Sequence, residues 1–247
     1  MGTSLSTVLW QLTYRAVVRS AFATVPFYRE HWALDGRTDP VLVPGRTGRH
    51  GGAVDAATVL ARRADLVPLA GGEAVVDPLR GLGAVLRRVE PLRTGTLVAV
   101  FGADSAPVDL PRGVRGWAVR PDDDVDAVLA QARGPVVAVG PDKQLQLLPD
   151  RPHLRRVPLR ELDELDRGPH GLLVHPVLGV LAGLADCGRW HVDRTALYLR
   201  ETDAGLAGTV LRQRSPRLVD TLLGDERVRL SACPRHRGPV LTPGLAR

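Results

Sequence analysis

Two short apolar runs bounded by glycine or proline constrain the fold of this 247-residue chain most strongly. They read TGTLVAVFGA at 94–103 and PVVAVGP at 135–141, and the helix-like stretch DDDVDAVLAQARG at 122–134 lies between them. Apolar runs of this length are typical of strands that are buried on both faces, and such strands alternate with helices in parallel sheets. The pattern therefore predicts an α/β fold with a partly parallel sheet flanked by helices.

The rest of the chain divides into parts that differ in predicted secondary structure. Apolar residues at helical spacing predict helices over 4–23 and 53–72, and VRGWAVRP at 114–121 predicts another strand. After a polar stretch at 150–170 the sequence favours strands and turns over helices. We therefore predict three parts, of which the last two share one core: an N-terminal helix with the VPFYREHW segment at 1–35, an α/β part at 36–165, and a β-rich part at 166–247.

Charge and hydropathy argue against two classes of function, nucleic-acid binding and membrane association. The net charge of +6 comes from scattered arginines, with Lys143 the only lysine, and no basic stripe is interleaved with aromatic residues. Nucleic-acid binding is therefore not expected. No apolar run approaches the roughly 18 residues of a membrane span, and the N-terminus lacks the features of a secretion signal. We expect a cytoplasmic protein without a membrane partner, whose cysteines are reduced.

The only two cysteines are each followed closely by a histidine. The pairs are Cys187-x₃-His191 and Cys233-x₂-His236, and a turn-forming residue follows each cysteine. Zinc favours four thiolate and imidazole ligands in a tetrahedron, so the spacing predicts a closed, structural zinc site. Two alternatives stay open: inert buried cysteines with unrelated surface histidines, and a catalytic thiol–imidazole pair.

Five segments, taken in chain order, resemble the phenylacetate–CoA ligase branch of the adenylate-forming enzymes. TVPFYREHWA matches that family's opening "VPFYRExW" stretch closely, and SACPRHRGP occupies the place of its "GxCPCGR" motif. The resemblance implies a structural zinc in the two cysteine segments, with a histidine replacing the last cysteine, and ATP, AMP or CoA as cofactors. The five segments are TVPFYREHWA (24–33), GPVVAVGPDKQLQLL (134–148), CGRWHVDRTALYLRETDAGLAGTVL (187–211), LVDTLLGD (218–225) and SACPRHRGP (231–239).

The same resemblance implies a nucleotide site. VPGRTGRHGG at 43–52 would be the phosphate-binding loop, with Asp225 at the place of the aspartate that binds the ribose hydroxyls. A flexible basic turn is the alternative for the loop, and a simple turn residue is the alternative for Asp225. The loop residues expected to contact the phosphates are Gly45, Thr47, Gly48 and Arg49.

Departures from the family pattern concern its ATP chemistry. Leu178, in the segment 175–183 that would line the acyl side, stands where the family has its magnesium-binding glutamate. Asp220 and Thr221 replace the family's arginine and tyrosine. The small C-terminal domain that carries the family's catalytic lysine is expected to be lacking. One preorganised electrostatic contact is typically worth about 10²–10³ in rate, so little independent adenylation is expected.

These observations leave two functional hypotheses. In the first, the chain is a degenerate acyl- or aryl-acid adenylate-forming domain in a biosynthetic pathway. It would bind a small carboxylic acid, an acyl-adenylate or an acyl thioester such as acyl-CoA. In the second, it is a non-catalytic scaffold or partner subunit of another enzyme, derived from such a ligase. Neither hypothesis identifies a catalytic residue.

Overall fold

A computed structural model describes residues 5–34, 49–165, 170–224 and 227–244. The α-helices are α1 Leu5–Thr24, α2 Pro26–Leu34, α3 Ala56–Ala61, α4 Leu82–Val89, α5 Val125–Ala130 and α6 Asp142–Gln146. The strands of the α/β portion are β1 Leu97–Phe101, β2 Arg115–Val119, β3 Val136–Gly140 and β4 Leu154–Arg160. The later strands are β5 Leu172–His175, β6 Gly179–Leu184, β7 Trp190–Val192, β8 Leu197–Thr202, β9 Gly205–Val210, β10 Thr221–Leu222, β11 Val228–Ala232 and β12 Pro239–Pro243.

Most predicted elements are present, and one is wrong. The predicted strands at 94–103, 114–121 and 135–141 contain β1, β2 and β3. The single helix predicted over 53–72 is instead α3 followed by a short 3₁₀ helix, Arg63–Leu66. Pro68 explains the end of that second helix, because the residue before a proline avoids the helical region, and Val67 is extended at φ −75° and ψ 129°.

The described residues form two compact units. Unit 1 comprises the described residues that fall within 1–78, 176–178 and 193–247, and unit 2 comprises those within 79–175 and 179–192. The prediction of three parts divided at 35 and 165 stays a prediction about domains. In the part of the chain that the structure describes, no helix is both long enough and apolar enough to cross a membrane.

Unit 2 is built on a mixed sheet in the order β7-β6-β5-β4-β3-β1-β2. Pairing is parallel from β2 through β5, and antiparallel from β5 through β7. Because side chains alternate along a strand, Val98 and Val100 of β1 pack with α4, while Ala99 and Phe101 pack with α5 and α6. Helices cover both faces, which confirms the predicted α/β class with a partly parallel sheet.

Unit 1 joins helices to antiparallel strands. β8, β9 and β10 form a three-stranded sheet, and β11 and β12 form a hairpin. The fully buried Tyr28 of α2 donates its hydroxyl hydrogen to the Arg217 carbonyl and accepts the Val219 N–H, each at 2.8 Å. The indole of Trp10 on α1 donates to the Leu197 carbonyl at 2.9 Å. These bonds tie α1 to β8 and tie α2 to the segment that leads into β10.

Candidate metal centre

The first cysteine–histidine pair lies at the β6–β7 turn. The Ala185 N–H donates to the Arg189 carbonyl at 3.0 Å, and the Gly188 N–H donates to the Ala185 carbonyl at 2.9 Å. Gly188 has φ +70°, a left-handed conformation that glycine adopts without strain. The turn places the half-buried Cys187 so that its Sγ lies 3.2 Å from Nε2 of His191 on β7.

The second pair lies at the β11–β12 turn. The Cys233 N–H donates to the Gly238 carbonyl, and the Arg237 N–H donates back to the Cys233 carbonyl, both at 2.8 Å. Arg237 has φ +54°, which completes the tight turn. The His236 N–H donates to the Sγ of buried Cys233 at 3.4 Å, and that Sγ lies 3.6 Å from His236 Nδ1.

The two pairs together form a four-residue cluster. One ligand atom from each of Cys187, His191, Cys233 and His236 lies within 4.8 Å of the others. Tetrahedral zinc with Zn–S bonds of about 2.3 Å and Zn–N bonds of about 2.0–2.1 Å separates sulfur from nitrogen by about 3.6 Å. The separation of 3.6 Å in the second pair equals that value, and the separation of 3.2 Å in the first pair is shorter by about 0.4 Å. The Cys₂His₂ cluster can therefore hold a metal ion, and the donor set suits zinc.

Coordination at this cluster would leave no position for a reactant. Two thiolates and two imidazoles satisfy the four-coordinate preference of zinc, whereas catalytic zinc sites keep one position for water. A zinc ion bound by all four side chains would therefore have a structural role. One alternative was that the cysteines are inert and the histidines are unrelated to them. It does not fit the structure, because in each pair an imidazole nitrogen lies within 3.6 Å of the cysteine sulfur.

The predicted nucleotide site falls largely outside the described residues. The structure does not describe four of its five residues, namely Gly45, Thr47, Gly48 and Asp225. The backbone of Arg49 begins a short 3₁₀ helix, Arg49–Gly52. The assignment of these five residues to a nucleotide stays a prediction.

A buried ionic network next to that 3₁₀ helix was not predicted. The carboxylate of Asp220, which is fully buried, accepts hydrogen bonds from Nε and Nη2 of Arg200 at 3.0 and 2.9 Å. The hydroxyls of Tyr14 and Thr209 also donate to this carboxylate. Nη2 of Arg200 donates further to the Gly51 carbonyl at 2.8 Å. Burial by itself would lower the pKa of Arg200, but the adjacent Asp220 charge and its hydrogen bonds raise that pKa above its usual range.

The segment that the resemblance places on the acyl side is closely packed. The side chain of Leu178 is only 3% exposed. It packs directly against Gly208, because a Cβ added to that glycine would lie 2.5 Å from Cδ1 of Leu178. Both neighbouring strands, β5 and β6, are almost entirely buried. His175 lies at the end of β5, where burial lowers its pKa to about 4. His175 is therefore a neutral core residue at physiological pH.

A scan against models of known protein families and a search of curated proteins found no match to this chain.

Proposed function

We propose that this chain is a degenerate acid-binding domain of the phenylacetate–CoA ligase type. It binds an acyl or aryl carboxylic ligand, free or as an acyl-adenylate or acyl thioester, in a biosynthetic pathway. It is held together by a structural zinc, and it does not form adenylates by itself. The observation that carries this proposal is the Cys₂His₂ cluster, because it assembles the four residues at which the sequence resemblance implies a zinc.

The packing of Leu178 supports the loss of magnesium-dependent chemistry. The resemblance assigns this position to a glutamate that binds magnesium, and magnesium requires oxygen ligands. The leucine side chain is instead buried against Gly208. An aliphatic residue in that packing supplies neither charge nor lone pairs to a metal–nucleotide complex.

The ionic network around Asp220 supports the same conclusion. The resemblance places an arginine at this position, whereas the chain has a carboxylate whose two oxygens accept bonds from Arg200, Tyr14 and Thr209. This position therefore supplies no cation to attract a phosphate or adenylate anion. Its neutralisation by Arg200 makes the network a structural element of unit 1.

Two assays on the zinc-loaded, 247-residue chain test the proposal. The first measures stabilisation of the chain against heating by a panel of alkyl and aryl acids, each with its neutral amide as a control. The second measures ATP–pyrophosphate exchange with the same acids. We expect stabilisation by at least one acid over its amide, and no exchange above the background without protein. Exchange with turnover would show that adenylation is retained, and an absence of acid binding across the panel would exclude the proposed function.

The second candidate, a non-catalytic partner subunit, is favoured by one surface. Val8, Leu9 and Leu12 are 38%, 57% and 52% exposed on α1, and exposed apolar residues in a cluster are typical of protein–protein contacts. In that case no acid binds. A Leu9→Gln, Leu12→Gln double variant would then lose a protein that co-purifies in fixed ratio with the wild type. Retention of that protein by the double variant would exclude this surface as the contact.

A further inference from the structure

A cavity of about 320 Å³ lies in unit 2, at the carboxyl ends of β1 and β2. β2 pairs with one edge of β1 and β3 pairs with the other, both in parallel, so the order of strands along the chain reverses at β1. In open α/β sheets, ligands bind in the crevice outside the carboxyl ends of the strands, at such a reversal. The volume falls within the range of about 300–1,000 Å³ that is usual for small-molecule sites.

The floor of this cavity is apolar. Phe101 and Val119 are the last residues of β1 and β2, and they are 6% and 2% exposed. Leu148, which follows α6, is 7% exposed, and Val125 contributes from the first turn of α5. Together these side chains present a hydrocarbon surface that only an apolar ligand body can cover without losing hydrogen bonds to water.

The charge at the cavity comes from one arginine. Exposed Arg120 follows β2 and lines the cavity, and no described acidic side chain forms an ion pair with its guanidinium. The other charged lining residue is Asp126, whose carboxylate lies 2.6 Å from Nη2 of Arg151 and is neutralised by it. The exposed Gln144 of α6 adds an amide at the same edge. The nearby Asp123 carboxylate accepts the backbone N–H of Arg120 at 2.9 Å. The cavity therefore combines an apolar floor with one guanidinium that has no ion-pair partner among the described residues.

We propose that this cavity binds a small amphipathic carboxylate, with its hydrocarbon body on the apolar floor and its carboxylate paired to Arg120. The inference rests on the proposed acid-binding function and assigns that function a location. One guanidinium matches a carboxylate in charge and in bidentate geometry. A phosphate monoester carries between one and a half and two negative charges, so this single cation would neutralise it only in part.

Isothermal titration calorimetry with the full chain tests this site. The ligands are hexanoate, its neutral amide hexanamide, and hexyl phosphate. The variants are Arg120→Gln, which removes the charge, and Val125→Phe, which fills the cavity. Arg133→Gln is the matched control, because it removes an exposed arginine of the same unit that does not line the cavity.

Hexanoate should bind the wild type more tightly than hexanamide or hexyl phosphate. Arg120→Gln should weaken hexanoate binding about tenfold or more and leave hexanamide binding nearly unchanged. Val125→Phe should weaken both ligands, and Arg133→Gln neither.

Two results would overturn the assignment. If hexanoate binds Arg120→Gln or Val125→Phe as it binds the wild type, the acid occupies another place, and the proposed function stands without this site. If hexanoate does not bind the wild type, the site is wrong, and the proposed function then depends on the aryl acids of the heating panel. A tighter complex with hexyl phosphate than with hexanoate overturns the choice of carboxylate.

Discussion

Replacing Asp220 with asparagine removes one charge from a buried ion pair while keeping the shape of the side chain. Asp220 has φ +51°, and asparagine tolerates this left-handed conformation as aspartate does. The change therefore isolates the charge from any backbone strain. It leaves the guanidinium of Arg200, only 12% exposed, without its carboxylate partner.

The expected cost follows from that burial. Removing one member of a buried ion pair typically destabilises a protein by about 3–5 kcal/mol, because the remaining charge is desolvated and unpaired. For a chain of this size, about 1 kcal/mol lowers the melting temperature by about 2–4 °C, so we expect a fall of about 10 °C. Circular dichroism on heating measures this fall, and urea unfolding at 25 °C measures the free energy directly.

Two further variants serve as controls for the effect of burial. Asp126→Asn breaks the exposed pair with Arg151 and should cost about 1 kcal/mol or less. An Asp220→Leu, Arg200→Met double variant removes both buried charges and should recover part of the lost stability, since apolar replacements of a buried pair are often tolerated. If Asp220→Asn costs no more than Asp126→Asn, the reasoning from burial is wrong.

Three further predictions concern the metal, pH and a helix cap. Elemental analysis should find one zinc per chain; Cys187→Ser should release it and lower the melting temperature, whereas His153→Gln, outside the cluster, should retain it. Burial lowers the pKa of His175 to about 4 from an ordinary value near 6.5, so the unfolded chain takes up a proton first as pH falls. Between pH 6.5 and 4 the free energy of unfolding of the wild type should fall by about 3 kcal/mol more than that of His175→Gln. An equal dependence of this free energy on pH in both proteins would refute the prediction. Asp55 caps α3 by accepting the Thr58 N–H at 2.8 Å, so Asp55→Ala should cost about 1 kcal/mol in urea unfolding.

The strands of unit 2 were predictable because their signal is local. β1 and β3 are fully buried, and burial on both faces demands an apolar residue at every position. The helix over 53–72 failed because its apolar spacing continues past Ala61, where the α-helix ends, up to Pro68. A periodic pattern records which face is buried, but it does not record where the helical hydrogen bonds stop.

The metal cluster was partly predictable and the ionic network was not, because only the cluster contains residue pairs that are close in sequence. Each cysteine–histidine pair lies within four residues, so local spacing predicted the pairs, and the structure brings the two pairs together. The contact between Tyr14 and Asp220 joins residues 206 positions apart, and neither residue has a local motif. The cavity near Arg120 also depends on strand order, since β2 and β3 must lie on opposite edges of β1, and a single sequence does not state that order.

The path of the chain through the two units sets the order in which a ribosome releases them. Every residue of unit 2 lies between positions 79 and 192, whereas unit 1 also needs residues 193–247. During synthesis the whole of unit 2 is therefore available to fold while unit 1 still lacks β8 to β12. Cys187 and His191 emerge well before Cys233 and His236, so a metal ion at this cluster could acquire its full ligand set only after residue 236 has been synthesised.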